Sequence, residues 1–165
     1  MREYGDYIRE TKRLLQNYNK MKVAVTNLTE EIRAQEAVLR DESITSIQYG
    51  DDRISGGTRE LTSIEAAAAR RMRMEERVAW MRERRDELER TIRRIDRAFE
   101  SLGDEDVELL HGRYMRGLSW TQVAEELNYT EKWAKEKGGK VLRDVALMLF
   151  GVVVRPVQGK IVFCD

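Results

Sequence analysis

Residues 64–102 read IEAAAARRMRMEERVAWMRERRDELERTIRRIDRAFESL. Within them Ile64, Ala67, Arg71, Met74, Val78, Met81, Arg85, Leu88, Ile92, Ile95, Phe99 and Leu102 succeed one another at alternating steps of three and four. That spacing lines side chains along one side of a helix and is the a/d seam of a coiled coil. A matching seam runs earlier through Tyr4, Tyr7, Thr11, Leu14, Tyr18, Met21, Val25, Leu28, Ile32, Gln35 and Leu39. Two long helices are therefore expected, over residues 4–40 and 63–102, each roughly 55 Å long at about 1.5 Å per residue. Thr62 and Glu65 have the spacing of a capping box at the start of the second. The intervening residues 41–62, with Tyr49-Gly50-Asp51-Asp52 and Ser55-Gly56-Gly57-Thr58, are polar and glycine-rich. A loop of that length lets the helices fold back as an antiparallel coiled-coil hairpin, and such a loop is commonly either disordered or functional. Arg71 and Arg85 occupy seam positions, so each is expected to pair with an acid at the seam edge, such as Glu30 or Glu36, or to reach out to solvent.

Composition supports this. Of 165 residues, 36% are charged and 7% aromatic, and there is one proline, a profile typical of long helices. Lys plus Arg and Asp plus Glu are equal at 30 each, so any basic surface has to be local. One cysteine, Cys164, rules out a disulfide framework within the chain and fits a reducing compartment. No signal-peptide core or membrane-length apolar run is apparent, and a cytoplasmic location, away from membranes, is expected. Glycine-rich phosphate loops, metal-ligand clusters and activated nucleophiles are missing from the pattern. His111 has no evident catalytic partner, so neither enzymatic activity nor a cofactor is expected.

A second module begins after Gly103, with Asp104, Glu105 and Asp106 placed where acids favour a helix N-terminus. Val107, Leu110, Tyr114 and Met115 describe one amphipathic helix, which Gly117 suits as a left-handed C-cap. Ser119 and Gln122 form a capping box for a helix of about two turns that carries Trp120, Val123, Ala124 and Leu127. Asn128-Tyr129-Thr130 reads as a tight turn in which Asn128 takes a positive φ and Thr130 caps the next helix. Short helix, three-residue turn and longer helix is the helix-turn-helix pattern. Its small core is expected from Val123, Leu127, Tyr129 and Ala134 around Ala124, with Trp133 packing inward. The expected organisation is thus all-α: a coiled-coil hairpin over 1–102, a helix-turn-helix over 104–151, and a tail over 152–165. In that tail Val152-Val153-Val154 and Ile161-Val162-Phe163 suggest a small β-hairpin, which would dock on the module or on another subunit.

The string Gly117-Leu118-Ser119-Trp120-Thr121-Gln122-Val123-Ala124-Glu125-Glu126-Leu127-Asn128-Tyr129-Thr130, preceded by Leu109-Leu110-His111-Gly112-Arg113-Tyr114, resembles the fourth region of sigma-70 family factors. With a long coiled coil in front, and with Glu131-Lys132-Trp133-Ala134 following, the chain is similar to the ArpU-like late-gene activators of phages and prophages. The resemblance implies a transcriptional regulator that binds promoter DNA and activates phage genes. Carried onto this sequence, it places the helix from Glu131 in the major groove, with Thr130, Glu131, Lys132, Lys135, Glu136 and Lys140 as the DNA-binding candidates. From Glu131 to Arg143, Lys132, Lys135, Lys137, Lys140 and Arg143 face only Glu131 and Glu136 as counter-charges. Such a basic helix suits phosphates and guanine edges, while glutamates can accept from cytosine. Gly138-Gly139 runs against this, because each glycine costs a helix about 1 kcal/mol relative to alanine, and a break there would leave Lys140 and Arg143 unplaced.

Double-stranded DNA is therefore the expected partner, with RNA polymerase as a second and self-association through the coiled coil or the tail as a third. Two rival functions fit the same pattern. One is the small terminase subunit of a phage packaging machine, and the other is a protein-only adaptor that mimics a sigma factor.

Overall fold

The computed structural model describes the backbone of residues 4–48 and 59–151, and the side chains of residues 6–41 and 64–151. The described chain is all-helical: α1 (Tyr4–Gln48), α2 (Arg59–Glu100), α3 (Asp104–Leu110), one π-helical turn (His111–Met115), α4 (Trp120–Glu126) and α5 (Glu131–Phe150). The two long helices pack together, and no described helix is long and apolar enough to cross a membrane. Both are longer than the seams foretold. Helix α1 continues to Gln48 and α2 starts at Arg59, so the predicted loop 41–62 is largely helical at both ends and Thr62 lies within α2 instead of capping it. The centre of that loop and the expected tail hairpin over 152–165 lie outside the described residues.

Packing divides the chain into two compact units, one made of residues 22–90 and the other of the described residues before and after them. In the 22–90 unit Ile32, Val78 and Met81 are buried, with Leu28 and Leu39 against them, all at seam positions. Ile64 and Ala67, the first two positions of the second seam, are instead exposed. The seam arginines find partners on their own helix: Arg71 meets Glu75 at 3.0 Å, and Arg85 meets Asp86 at 2.8 Å. It is Arg82, outside the seam, that bonds Glu36 on the other helix, its Nε donating at 3.1 Å. An arginine at the seam's edge reaches across without being desolvated, which is the less costly arrangement.

The other unit holds the larger core. Leu15, Ile95, Ala98, Leu110, Tyr114, Val141, Leu142, Val145 and Leu149 form one buried cluster. The N-terminal part of α1 and the C-terminal part of α2 thus share their interior with α3, the π turn and α5. Leu15 lies just off the predicted seam and is 0% exposed. It is buried because α1 here is covered by more than one neighbour, and Ile8, Thr11, Leu15 and Tyr18 form a second stripe at steps of three and four.

Tyr18 ties α1 to α2 by donating its hydroxyl to Asp96 at 2.6 Å. Burial, and after it this bond to a carboxylate, push the Tyr18 pKa up to about 12. The folded protein therefore prefers the neutral phenol. That preference contributes stability fully below pH ~10, where a free tyrosine titrates, and the contribution is lost as pH rises through about 12. Tyr18→Phe should lower unfolding stability by about 1 kcal/mol at neutral pH and flatten the alkaline loss, as measured by urea unfolding at several pH values. An alkaline limb as steep as that of the wild type would contradict this assignment.

Candidate nucleic-acid interface

Helix α3 begins after Gly103, which supplies no side-chain cap, and carries Asp104, Glu105 and Asp106 in its first turn. Its last turn widens into the π turn, where Arg116 N–H donates to His111 O at 2.9 Å. Gly112 explains the widening in part. It is buried against α4, and a Cβ there would stand 3.1 Å from a Val123 methyl. Gly117 then takes φ +77, the left-handed value its position demanded.

Both predicted caps are present. Ser119 Oγ accepts from Gln122 N–H at 3.2 Å while Gln122 Oε1 accepts from Ser119 N–H at 2.9 Å. Thr130 Oγ1 accepts from Trp133 N–H at 3.2 Å. Between the two helices Asn128 has φ +59, and Tyr129 N–H donates to Ala124 O at 2.9 Å, closing the turn. Val123, Ala124, Ala134 and Leu109 are the buried core of this arrangement, with Leu127 and Trp133 half-buried beside it. Tyr129 does not join them. It is 46% exposed, and its ring stacks on Trp133 at 3.8 Å. The fourth buried member of the cluster is Leu109, which lies on the neighbouring helix and so could not be read from the local pattern.

Helix α5 runs without interruption from Glu131 to Phe150 and ends at Gly151 with φ +68. Gly138 and Gly139 do not break it. Gly138 is buried, and a Cβ there would stand 2.4 Å and 2.8 Å from two ring carbons of Trp120. The helix accepts the weaker propensity of glycine because α4's tryptophan occupies the space a side chain would need.

Thr130, Glu131, Lys132, Lys135, Glu136 and Lys140 are all exposed. Lys132, Lys135, Glu136, Gly139 and Arg143, at steps of three and four, share one face, and Lys140 borders it. The charge on this face is lower than the sequence count. Lys135 pairs with Glu131. Lys137 turns away to Asp106 on α3, with Nζ 3.0 Å from an Oδ that has no other polar partner. That contact raises the Lys137 pKa. The Lys135 ammonium and then the Thr121 hydroxyl, which donates to Glu131 at 2.9 Å, hold the Glu131 carboxyl below its ordinary value. Lys132, Lys140 and Arg143 have no acidic partner among the described residues.

Arg113 also belongs to this region, although sequence reasoning gave it no role. Its guanidinium lies 5.3 Å over the Trp120 ring and 6.0 Å over Tyr114, and one nitrogen donates to Leu118 O at 2.7 Å. The arginine-tryptophan contact joins residues of different helices, and no spacing along the chain announces it.

These features define an all-helical protein in which two long, paired helices lead into a capped short helix, a tight turn and a long helix with a polar, lysine-bearing face. The chain belongs to the family described as Protein of unknown function (DUF722), matching it over residues 8–146, from early α1 into α5. No curated protein and no solved structure matches it.

Proposed function

We propose that this protein is a sequence-specific DNA-binding regulator of phage or prophage transcription, with α4, the turn at Asn128 and α5 acting as a helix-turn-helix. The observation that carries this reading is the stripe of exposed Lys132, Lys135 and Glu136, continued by half-buried Arg143, on a continuous, Thr130-capped α5. On this reading α5 enters the major groove, where lysine and arginine can meet phosphates and guanine edges and Glu136 can accept from a cytosine amino group. At its N-terminal end the exposed Tyr129 ring, stacked on half-buried Trp133, supplies an apolar surface for a thymine methyl or a sugar. The long helices, folded as an antiparallel hairpin, serve self-association or contact with RNA polymerase.

The test is to select fragments of the source genome with the purified protein and then measure affinity for the enriched duplex across salt. Lys132→Ala with Lys135→Ala should weaken binding about tenfold and reduce the slope of log affinity against log salt by about 2, since each lost phosphate contact releases fewer counterions. Unchanged affinity and slope would overturn the placement of α5. Enrichment upstream of structural or lysis genes marks a promoter regulator, whereas enrichment over a packaging site marks a terminase.

A further inference from the structure

Beside the exposed face of α5 lies a groove of about 310 Å³, lined among others by Lys12 and Gln16 of α1, Arg113 of the π turn, and Lys135 and Arg143 of α5. Four cations and no carboxylate border it. Lys135 already pairs with Glu131, but the remaining like charges repel one another, so such a cluster gains from an anion. Lys12, Arg113 and Arg143 have no ion-pair partner among the described residues. Arg113 is moreover fixed in place by Trp120 and by its bond to Leu118 O, and its Nε is enclosed without a hydrogen-bond partner. At Gly139 the wall is bare backbone, and a Cβ there would stand 3.8 Å from the Arg143 guanidinium.

We infer that this groove holds a phosphodiester of the DNA backbone, gripped by Lys12, Arg113 and Arg143, with the Gln16 amide as a neutral donor. The inference rests on the DNA-binding reading and deepens it. Arg143 and Lys135 belong both to the groove and to the exposed face of α5, so a strand lying along that face passes the groove mouth. The volume exceeds what a lone phosphate fills and suits a sugar-phosphate segment, whose apolar parts would meet Ile8 and Leu142 on the same walls. The N-terminal helix, which a local reading of the helix-turn-helix leaves out, thereby becomes part of the DNA interface.

Lys12→Ala with Arg143→Ala in the full chain tests this, by titrating the enriched duplex from low to moderate salt and by following thermal unfolding. The expected result is an affinity loss of about tenfold, a salt slope lower by about 2, and an unchanged Tm. The charge-preserving pair Lys12→Arg with Arg143→Lys should keep the slope. Wild-type affinity and slope in the alanine pair, alongside a weakened Lys132→Ala, would overturn the groove assignment, remove Arg143 from the α5 stripe and leave the N-terminal half of α5 as the contact. Absence of duplex binding by the wild type at low salt would overturn both. Pyrophosphate binding that disappears in the alanine pair while duplex binding persists would assign the groove to a free anion and overturn the backbone assignment.

Discussion

Leu15→Ala should destabilise the protein by about 3–5 kcal/mol, the range expected when a fully enclosed leucine leaves a cavity that its surroundings cannot refill. Leu15 is 0% exposed and belongs to the same cluster as Ile95, Leu110, Tyr114, Val141 and Val145. Those neighbours come from several helices, so collapse onto the space would require several backbones to move together. Chemical denaturation measures the effect, and Leu147→Ala, at a position 40% exposed, serves as the near-neutral comparison. A loss of less than about 1 kcal/mol at Leu15 would mean that the first helix is only loosely attached to the C-terminal helices. A fragment cut at residue 104 should likewise fail to fold as it does in the chain, because it retains Leu110, Val141 and Val145 without the residues that cover them.

The second large effect concerns two adjacent glycines with opposite expected signs. Gly138→Ala gains about 1 kcal/mol of helix propensity but drives a methyl into the Trp120 ring, where the space offered is 2.4 Å. Trp120 is packed against both core clusters and sits edge-on to Tyr114 at 6.2 Å, so the ring cannot step aside cheaply. Overpacking of this kind costs about 1–3 kcal/mol or more, and a net loss of about 2 kcal/mol is expected. At Gly139 a Cβ meets only the Arg143 guanidinium at 3.8 Å, so Gly139→Ala should stabilise by up to about 1 kcal/mol. Urea unfolding of the two variants decides the matter. Equal effects would show that propensity, and not the tryptophan, sets the cost.

Legibility in the sequence followed the range of the interactions involved. The Ser119 and Thr130 caps and the positive φ of Asn128 and Gly117 depend on residues at most a few positions apart, and all were readable. The seams were readable wherever α1 and α2 pack together alone, at Ile32, Val78 and Met81. They misled where a further layer is added: Leu15 and Ala98 are buried off the seam because helices from the far end of the chain cover them. The same limit explains Leu109, which joins the small core from a neighbouring helix, and Gly138, whose role depends on Trp120. Of the candidate interface, the α5 residues were nominated through the resemblance to sigma region four, but Lys12 and Arg113 were not, since each reaches the groove only through the folding of distant segments. The seam arginines stay partly exposed, one of the two outcomes expected, while the acids they bond lie on their own helix. Neighbours on the same helix supply carboxylates to Arg71 and Arg85 without burial, and proximity prevailed over position in the heptad.

The unit that contains α5 is built from two ends of the chain with residues 22–90 between them, and this bears on how the protein is made. Tyr18 and Asp96, which close one of its contacts, are 78 positions apart. On a ribosome the first helix emerges well before any of the helices that enclose Leu15, and its apolar stripe stays uncovered until α5 has been synthesised. Contacts of such high sequence separation are slow to form. On the proposed DNA-binding reading, changes that delay the covering of Leu15 should appear as slower acquisition of binding during synthesis before they appear as weaker binding.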